Sequence, residues 1–484
     1  MTLHDDAAYL AITTHDARFD GRFFVGVTST GIYCRPVCRV RVPLRKNCRF
    51  FVHAALAEAD GFRPCLRCRP ELAPGLSLTD SSQVLAGHAA ALLEQAAQQG
   101  EDPTMPALAA RLGVTDRHLR RIFAHAHGVS PMDYLTTQRL LLAKHLLTDT
   151  RLSVTHVALA AGFASLRRFN AVFVERYRMS PSAMRRERDQ DGAADTVSPT
   201  LRLAFRPPYD EAGVMQFLQR RAVPGLEQID GPVWRRTLSL RHKGQPHSGW
   251  LEARFAIDRP ELRMTVSQSL LPALGSLRAR MRQALDLDAD PAQIAPALVG
   301  LPVPVRPGLR LPAGLDGFES AVRVVLGQQI TVAAAQTLTR RLVERFGVPL
   351  TTPFPALNRL FPDAATLASA DPADIGTLGI VRQRVGALQA LARAVSDGSL
   401  QLHRAAPLQA TLDSLLALPG IGPWSAQLIA MRALAWPDAW PASDIGILQA
   451  LGTRDVKLAS AQAEAWRPWR AYAVMSLWQS LENP

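Results

Sequence analysis

Apolar positions recur at helical spacing over most of the chain and alternate in two short regions. Phe23 to Val27 alternates weakly and predicts a strand. Met105 to Leu112 sets Leu108, Ala109 and Leu112 on one helical face. Gly113-Val114-Thr115 reads as a turn whose threonine caps the next helix. That helix, Asp116 to His125, turns Leu119, Ile122 and Phe123 inward and Arg117, His118, Arg120 and Arg121 outward. The pattern repeats as Val154 to Ala161, Gly162, then Ser165 to Tyr177 carrying Arg167, Arg168 and Asn170. A short helix, a glycine turn and a basic helix make a helix-turn-helix, here twice. Leu201 to Phe205, Val233 to Leu238, Leu251 to Phe255 and Leu262 to Val266 read as strands, with a helix over Tyr209 to Arg220. From Leu270 the pattern is helical. Within it Leu418-Pro419-Gly420-Ile421-Gly422 predicts a tight hairpin, entered by a helix ending at Leu415 and Leu416 and left by an apolar helix from Trp424 to Trp436.

Composition narrows the partners. The chain has 484 residues, a net charge of +13 and a pI near 10.2. A polyanion is the first expected partner, although a basic soluble protein would carry the same charge. All five cysteines fall at or before position 68. Cys34-x3-Cys38 and Cys65-x2-Cys68 have the paired spacing of a tetrahedral zinc site, which suits a cytosolic setting better than a disulfide framework. Such an ion contributes roughly 10–16 kcal/mol of apparent folding energy to a small domain. Cys48 lies outside the pattern and reads as a free thiol. The start, MTLHDDAAYL, has no basic segment before an apolar run, so no leader is expected, and no apolar run is long enough to span a membrane. The fold class expected is multidomain and mainly α: a small zinc-bound α+β domain over 1–75, two helix-turn-helix units over 80–188, a linker over 189–200, a small α+β lobe over 201–283, and an all-α helix-hairpin-helix domain over 284–484.

Two places carry chemistry beyond the cysteines. Glycines at both bends of the 418–422 hairpin let backbone N–H groups approach a phosphate and point the next helix N-terminus at it. Asp444, just beyond Pro441, sits where a turn would fix a catalytic carboxylate. From the residues alone, the hairpin could equally be a bare turn and Asp444 a helix cap.

The strings GIYCRPVC and FRPCLRC resemble the methylphosphotriester-repair domain of Ada proteins. In that family the first cysteine takes a methyl group irreversibly from a DNA phosphotriester, and Cys34 holds the matching position. The resemblance implies that Thr30, Arg41, Arg63 and Arg67 hold phosphates and that methylation strengthens DNA binding. The physics agrees, because four thiolates on Zn²⁺ carry a net charge of about −2. Losing one charge removes about 2 kcal/mol of repulsion per phosphate at ~8 Å and an effective dielectric near 20, before screening. GVSPMDYLTTQRLLLAKHLL and AGFASLRRFNAVFVERYRMSPSAMRR resemble the AraC-type DNA-binding domain, whose recognition helices read successive major grooves. In Ada proteins this order makes the methylated protein a transcription activator, so promoter DNA and RNA polymerase are expected partners. No cysteine follows Cys68, which excludes the O6-alkylguanine transferase found in many Ada proteins and any iron–sulfur cluster.

The opening FRPPYD, the segment Pro307 to Pro312, FESAVRVVLGQQITVAAAQTL and the 418–444 stretch resemble the 3-methyladenine DNA glycosylase II (AlkA) group of helix-hairpin-helix glycosylases, over about 201–482. The resemblance implies that Gln328 and Gln329 fill the gap left by an extruded base, and that Gly420, Ile421 and Gly422 hold DNA. It places Trp424, Trp478, Leu428 and Ile445 around the base, the last two where some members have tyrosines. A base alkylated at N3 or N7 is cationic, stacks on tryptophan with up to ~2 kcal/mol, and leaves without a general acid. Asp444 would then stabilise the sugar cation, activate water, or both. Members that also cut the strand carry a lysine where Trp424 stands, so no Schiff base and no lyase activity are expected. The expected protein is a cytoplasmic, nucleoid-associated monomer that excises alkylated bases from double-stranded DNA and accepts methyl groups on Cys34. The rival is a regulator whose glycosylase half only binds DNA.

Overall fold

The computed structural model describes residues 5–15, 23–51, 54–68, 70, 78–150, 152–186, 198–404 and 406–482. Residues 189–197 of the expected linker, and Pro74-Gly75, lie outside the described residues. The chain divides into two compact units, Met1–Glu94 with Pro103–Thr137, and Gln95–Asp102 with Gln138–Pro484. Among the described residues no helix is long and apolar enough to cross a membrane.

The first unit opens with the helix Asp5–Thr13. A four-stranded sheet follows: β1 (Phe24–Val27), β2 (Ile32–Cys34), β3 (Cys48–Phe51) and β4 (Arg63–Pro64), in the order β3-β1-β2-β4. β1 is antiparallel to β2 and β3, and β2 is parallel to β4. The strand expected at Phe23 is present; β2 to β4 were not legible, because two to four residues hold too little alternation. The helix Leu78–Gln99 leads to Met105–Arg111 and Asp116–His127. Thr115 caps the latter by accepting from the His118 amide at 3.2 Å, and Leu119, Ile122 and Phe123 are buried as the spacing predicts.

The second unit carries the other helix pair, Val154–Ala160 and Leu166–Tyr177, capped by Ser153 and Ser165. A five-stranded antiparallel sheet follows, β5 (Thr200–Ala204), β6 (Glu227–Asp230), β7 (Val233–His242), β8 (Gln245–Phe255) and β9 (Glu261–Val266), in the order β5-β9-β8-β7-β6. β7 and β8 run four and six residues beyond their predicted limits, joined at Lys243-Gly244. Apart from Leu240 and Trp250 their added residues bring no large apolar side chain, so alternation fades there. The polar edge strand β6, Glu-Gln-Ile-Asp, showed no pattern at all.

Helices then pack against this lobe. Asp316 caps Gly317–Leu326 by accepting from the Glu319 amide at 2.9 Å. The sequence Asp-x-x-Glu suggests a reciprocal capping box. Glu319 instead turns inward, to Arg236 at 2.7 Å and Arg323 at 2.7 Å. Glu227 accepts from the same two arginines, at 3.0 and 2.8 Å. Burial pushes the Glu227 carboxyl up, but Arg323 and Arg236 outweigh it and hold it below its usual range. Glu319→Gln leaves two buried guanidinium groups short of an anion, and is expected to cost about 3–5 kcal/mol, read as a lower denaturant midpoint for this unit.

The helix Leu408–Leu416 enters the hairpin, and Pro423–Ala433 leaves it. The latter stops three residues before the predicted Trp436. Ala435 is left-handed at φ 52° and the Trp436 amide donates back to Ala430 O at 3.0 Å, because Pro437 cannot continue a helix.

Candidate active site and metal centre

The hairpin is rigid for identifiable reasons. Gly420 has φ +77°, and a Cβ there would sit 2.9 Å from the Ala387 Cβ, so both conformation and space demand glycine. Ile421 is buried, while Gly422 is exposed and opens the helix Pro423–Ala433, whose first turn no side chain caps. Its leading amides are those an anion would meet.

Gln328 and Gln329, adjacent in sequence, have separate placements. Gln328 Nε2 donates to Gly420 O and to Ser425 Oγ, both at 2.8 Å, and Arg384 donates to Gln328 O. Gln329 is exposed and left-handed at φ 54°, at the turn between Gly317–Leu326 and Val332–Phe346. Gln328 thus braces the hairpin, and Gln329 is the residue presented outward.

Asp444 caps the short helix Ile445–Ala450, accepting from the Ile447 amide at 3.1 Å. Both oxygens also accept indole protons: Trp478 Nε1 donates to Oδ1 at 3.0 Å, and Trp424 Nε1 to Oδ2 at 3.0 Å. The two tryptophans were expected as stacking faces, and their role in clamping the carboxylate was not legible in the sequence. Three donors fix a carboxylate that has about four lone-pair sites, leaving one direction for a substrate or water. Gly446 permits this clamp, since a Cβ there would lie 3.2 Å from Asp444 Oδ1 and 3.3 Å from Trp478 Cδ1.

Asp444, Trp424, Trp478 and Leu428 line one cavity of about 430 Å³, within the usual range for a small-molecule site. Ile445 does not line it. That side chain is 78% exposed, because the residue after a helix cap points away from the capped face. The other wall brings Phe217, Trp234, Arg236, Glu319 and Arg323, none of which the sequence placed at the site. Trp478→Phe keeps an apolar ring and removes one charge-assisted hydrogen bond to Asp444. A single-turnover assay is expected to find base release slowed about 10–100-fold with little change in melting temperature.

In the first unit the sulfurs of Cys34, Cys38, Cys65 and Cys68 lie within 4.8 Å of one another, with Cys38 and Cys65 3.9 Å apart and no disulfide among them. Thiolates 2.3 Å from a tetrahedral zinc stand ~3.8 Å apart, so the donor set fits the ion, and these four residues form one zinc site. All four are buried, and Cys34 and Cys38 border a small cleft. Arg35 is 2% exposed; its amide donates to Cys68 Sγ at 3.4 Å and its Nη1 to Cys68 O at 3.5 Å. This unpredicted cation reduces the buried negative charge of a zinc–thiolate cluster by one. Cys48 is buried and separate, its thiol pushed up by burial.

Thr30, Arg41, Arg63 and Arg67 are all exposed, and none of the three arginines has an ion-pair partner among the described residues. Their neighbours differ: Arg45 is held by Asp5 and Asp6, and Arg49 by Asp60. In the first helix-turn-helix, Arg120 is taken by Asp116 at 2.6 Å, and Arg121 Nη2 lies 3.0 Å from His118 Nδ1. Arg117, Arg167, Arg168 and Asn170 are exposed, with side chains free of polar partners among the described residues.

Family models match four segments in order: the metal binding domain of Ada at 7–71, a helix-turn-helix domain at 108–187, the AlkA N-terminal domain at 200–316, and the HhH-GPD superfamily base excision DNA repair protein at 322–462. The "Probable bifunctional transcriptional activator/DNA repair enzyme AlkA" of Mycobacterium tuberculosis is 38% identical over 100% of this chain and 98% of its own length. The chain belongs to this AlkA family of bifunctional activator and repair proteins. Two Escherichia coli proteins match its parts. "DNA-3-methyladenine glycosylase 2" is 34% identical over 57% of this chain and 95% of its own length. "Bifunctional transcriptional activator/DNA repair enzyme Ada" is 38% identical over 33% of this chain and 43% of its own length. The AlkA family thus joins, in one polypeptide, segments that match separate proteins in Escherichia coli.

Proposed function

We propose that this protein repairs alkylated DNA by two chemistries and switches on repair genes with one of them. The observation that carries the reading is the Asp444 carboxylate clamped between Trp424 and Trp478 at a cavity large enough for a base. The second unit is a monofunctional glycosylase of the 3-methyladenine type. The hairpin Gly420-Ile421-Gly422 holds backbone phosphate, and Gln329 enters the space of the extruded base while Gln328 fixes the hairpin beneath it. The cationic base stacks against the tryptophans. Its C1′–N bond breaks, and the electron pair neutralises the ring. Asp444 stabilises the sugar cation and receives a proton as water oxygen bonds to C1′. Among the described residues no lysine lines the cavity, so an abasic product remains.

In the first unit, zinc when bound keeps the four sulfurs deprotonated. The Cys34 sulfur takes the methyl carbon, and the phosphate oxygen leaves with the bond's electron pair, so the triester becomes a diester. Arg41, Arg63, Arg67 and Thr30 hold the flanking phosphates. The less negative cluster then binds DNA more tightly, and Arg117, Arg120, Arg121, Arg167, Arg168 and Asn170, with His118, hold promoter DNA. The protein acts as a monomer on the nucleoid and contacts RNA polymerase as an activator. Chromatography of bases released from methylated duplex DNA tests the catalytic half, and 3-methyladenine with an uncut strand is expected. Promoter binding without any base release would replace this reading by that of a regulator.

A further inference from the structure

The cavity beside Asp444 has two chemically opposite ends. Trp424, Leu428 and Arg432 lie four residues apart on the helix Pro423–Ala433, and all three line it. Arg432 therefore stands two turns, about 12 Å along the axis, beyond Trp424. Helical side chains lean toward the helix N-terminus, so its guanidinium reaches back over the turn of Leu428, toward the base end.

Four arginines and three carboxylates line the cavity. Arg236 and Arg323 are matched by Glu227 and Glu319. Asp444 is held by the indoles of Trp478 and of Trp424, the latter two turns back along the helix from Arg432. Arg432 has no carboxylate partner among the described residues. It donates to Pro312 O and lies 4.5 Å from the Phe217 ring centroid, whose ring also has Arg221 at 3.8 Å. Burial, then Arg221 and Arg323, outweigh the more weakly felt Glu227 and pull the Arg432 guanidinium down to about 9, so it is charged at neutral pH in a site that favours an incoming anion.

We propose that the Arg432 end is an anion subsite, and that the enzyme excises bases whose alkyl adduct ends in a carboxylate, with Arg432 as the specificity-determining residue. The inference rests on the glycosylase reading above and names a substrate class for it. A base alkylated by a carboxymethyl group is a zwitterion. Its cationic ring belongs beside Asp444 and the tryptophans, and its anionic tail beside Arg432. The cavity's polarity runs the same way. A methyl adduct reaches only the first end.

The test compares three duplexes, carrying 7-methylguanine, 7-carboxymethylguanine or 7-isobutylguanine, the last an uncharged adduct of similar shape. The unaltered full chain is expected to release the carboxymethyl base about 10–100-fold faster than the isobutyl base, the effect of one charge-assisted contact. Arg432→Met is expected to erase that preference while still releasing 7-methylguanine. Equal rates on the two larger adducts, or release of the methyl base alone, would overturn the subsite. A preference that survives Arg432→Met would overturn the choice of residue. If the variant does not fold, the comparison of adducts on the unaltered protein decides. Failure on all methylated DNA would instead remove the glycosylase reading, and the subsite with it.

Discussion

Asp444→Asn is expected to slow base release about 10²–10⁴-fold without loss of duplex binding. Two effects add. The substitution removes the negative charge facing the sugar as the glycosidic bond breaks. It also disturbs the clamp, because both Asp444 oxygens accept indole protons and the amide's NH₂ must face one of those donors. The measurement is a single-turnover rate on duplex DNA with one alkylated base, beside an affinity for the same duplex. Equal rates in the two proteins would sink the assignment of Asp444.

Stripping zinc with a chelator is expected to unfold the small sheet domain, where the ion contributes roughly 10–16 kcal/mol, and to abolish methyl acceptance. Base release should persist, since every residue lining the large cavity comes from Phe217 to Leu481. In the zinc-loaded protein, DNA with a single methyl phosphotriester should add one methylene mass to the Cys34 peptide alone. Cys34→Ala should take up no methyl group. Mass spectrometry of the digested protein checks both, and a label on Cys38, Cys65 or Cys68 would move the acceptor. Base release that fell in step with zinc would contradict the independence of the two chemistries.

Local signals survived the passage from sequence to structure, and long-range ones did not. The cysteine pairs were legible because chelation depends on short spacings, and the helix-turn-helix pairs because Leu119, Ile122 and Phe123 repeat at the helical period. Gly420 was legible because a left-handed turn demands glycine. Ile445 was misplaced in the base pocket, because adjacency to Asp444 does not say which face of a capped helix a side chain takes. The indole clamp, the Gln328 brace and the Arg236–Glu319 and Arg323–Glu227 contacts join residues 20 to 97 positions apart. Periodicity carries no trace of such pairs. Arg432 carried no sequence reading, since lining a cavity without a carboxylate partner is a property of the fold alone.

The brace built by Gln328 ties the turn that presents Gln329 to the loop expected to grip the backbone. Plug and handle are therefore one stiff piece. On the proposed reading, finger and handle leave the duplex together, and slow departure from the abasic product is the expected consequence of that single amide side chain.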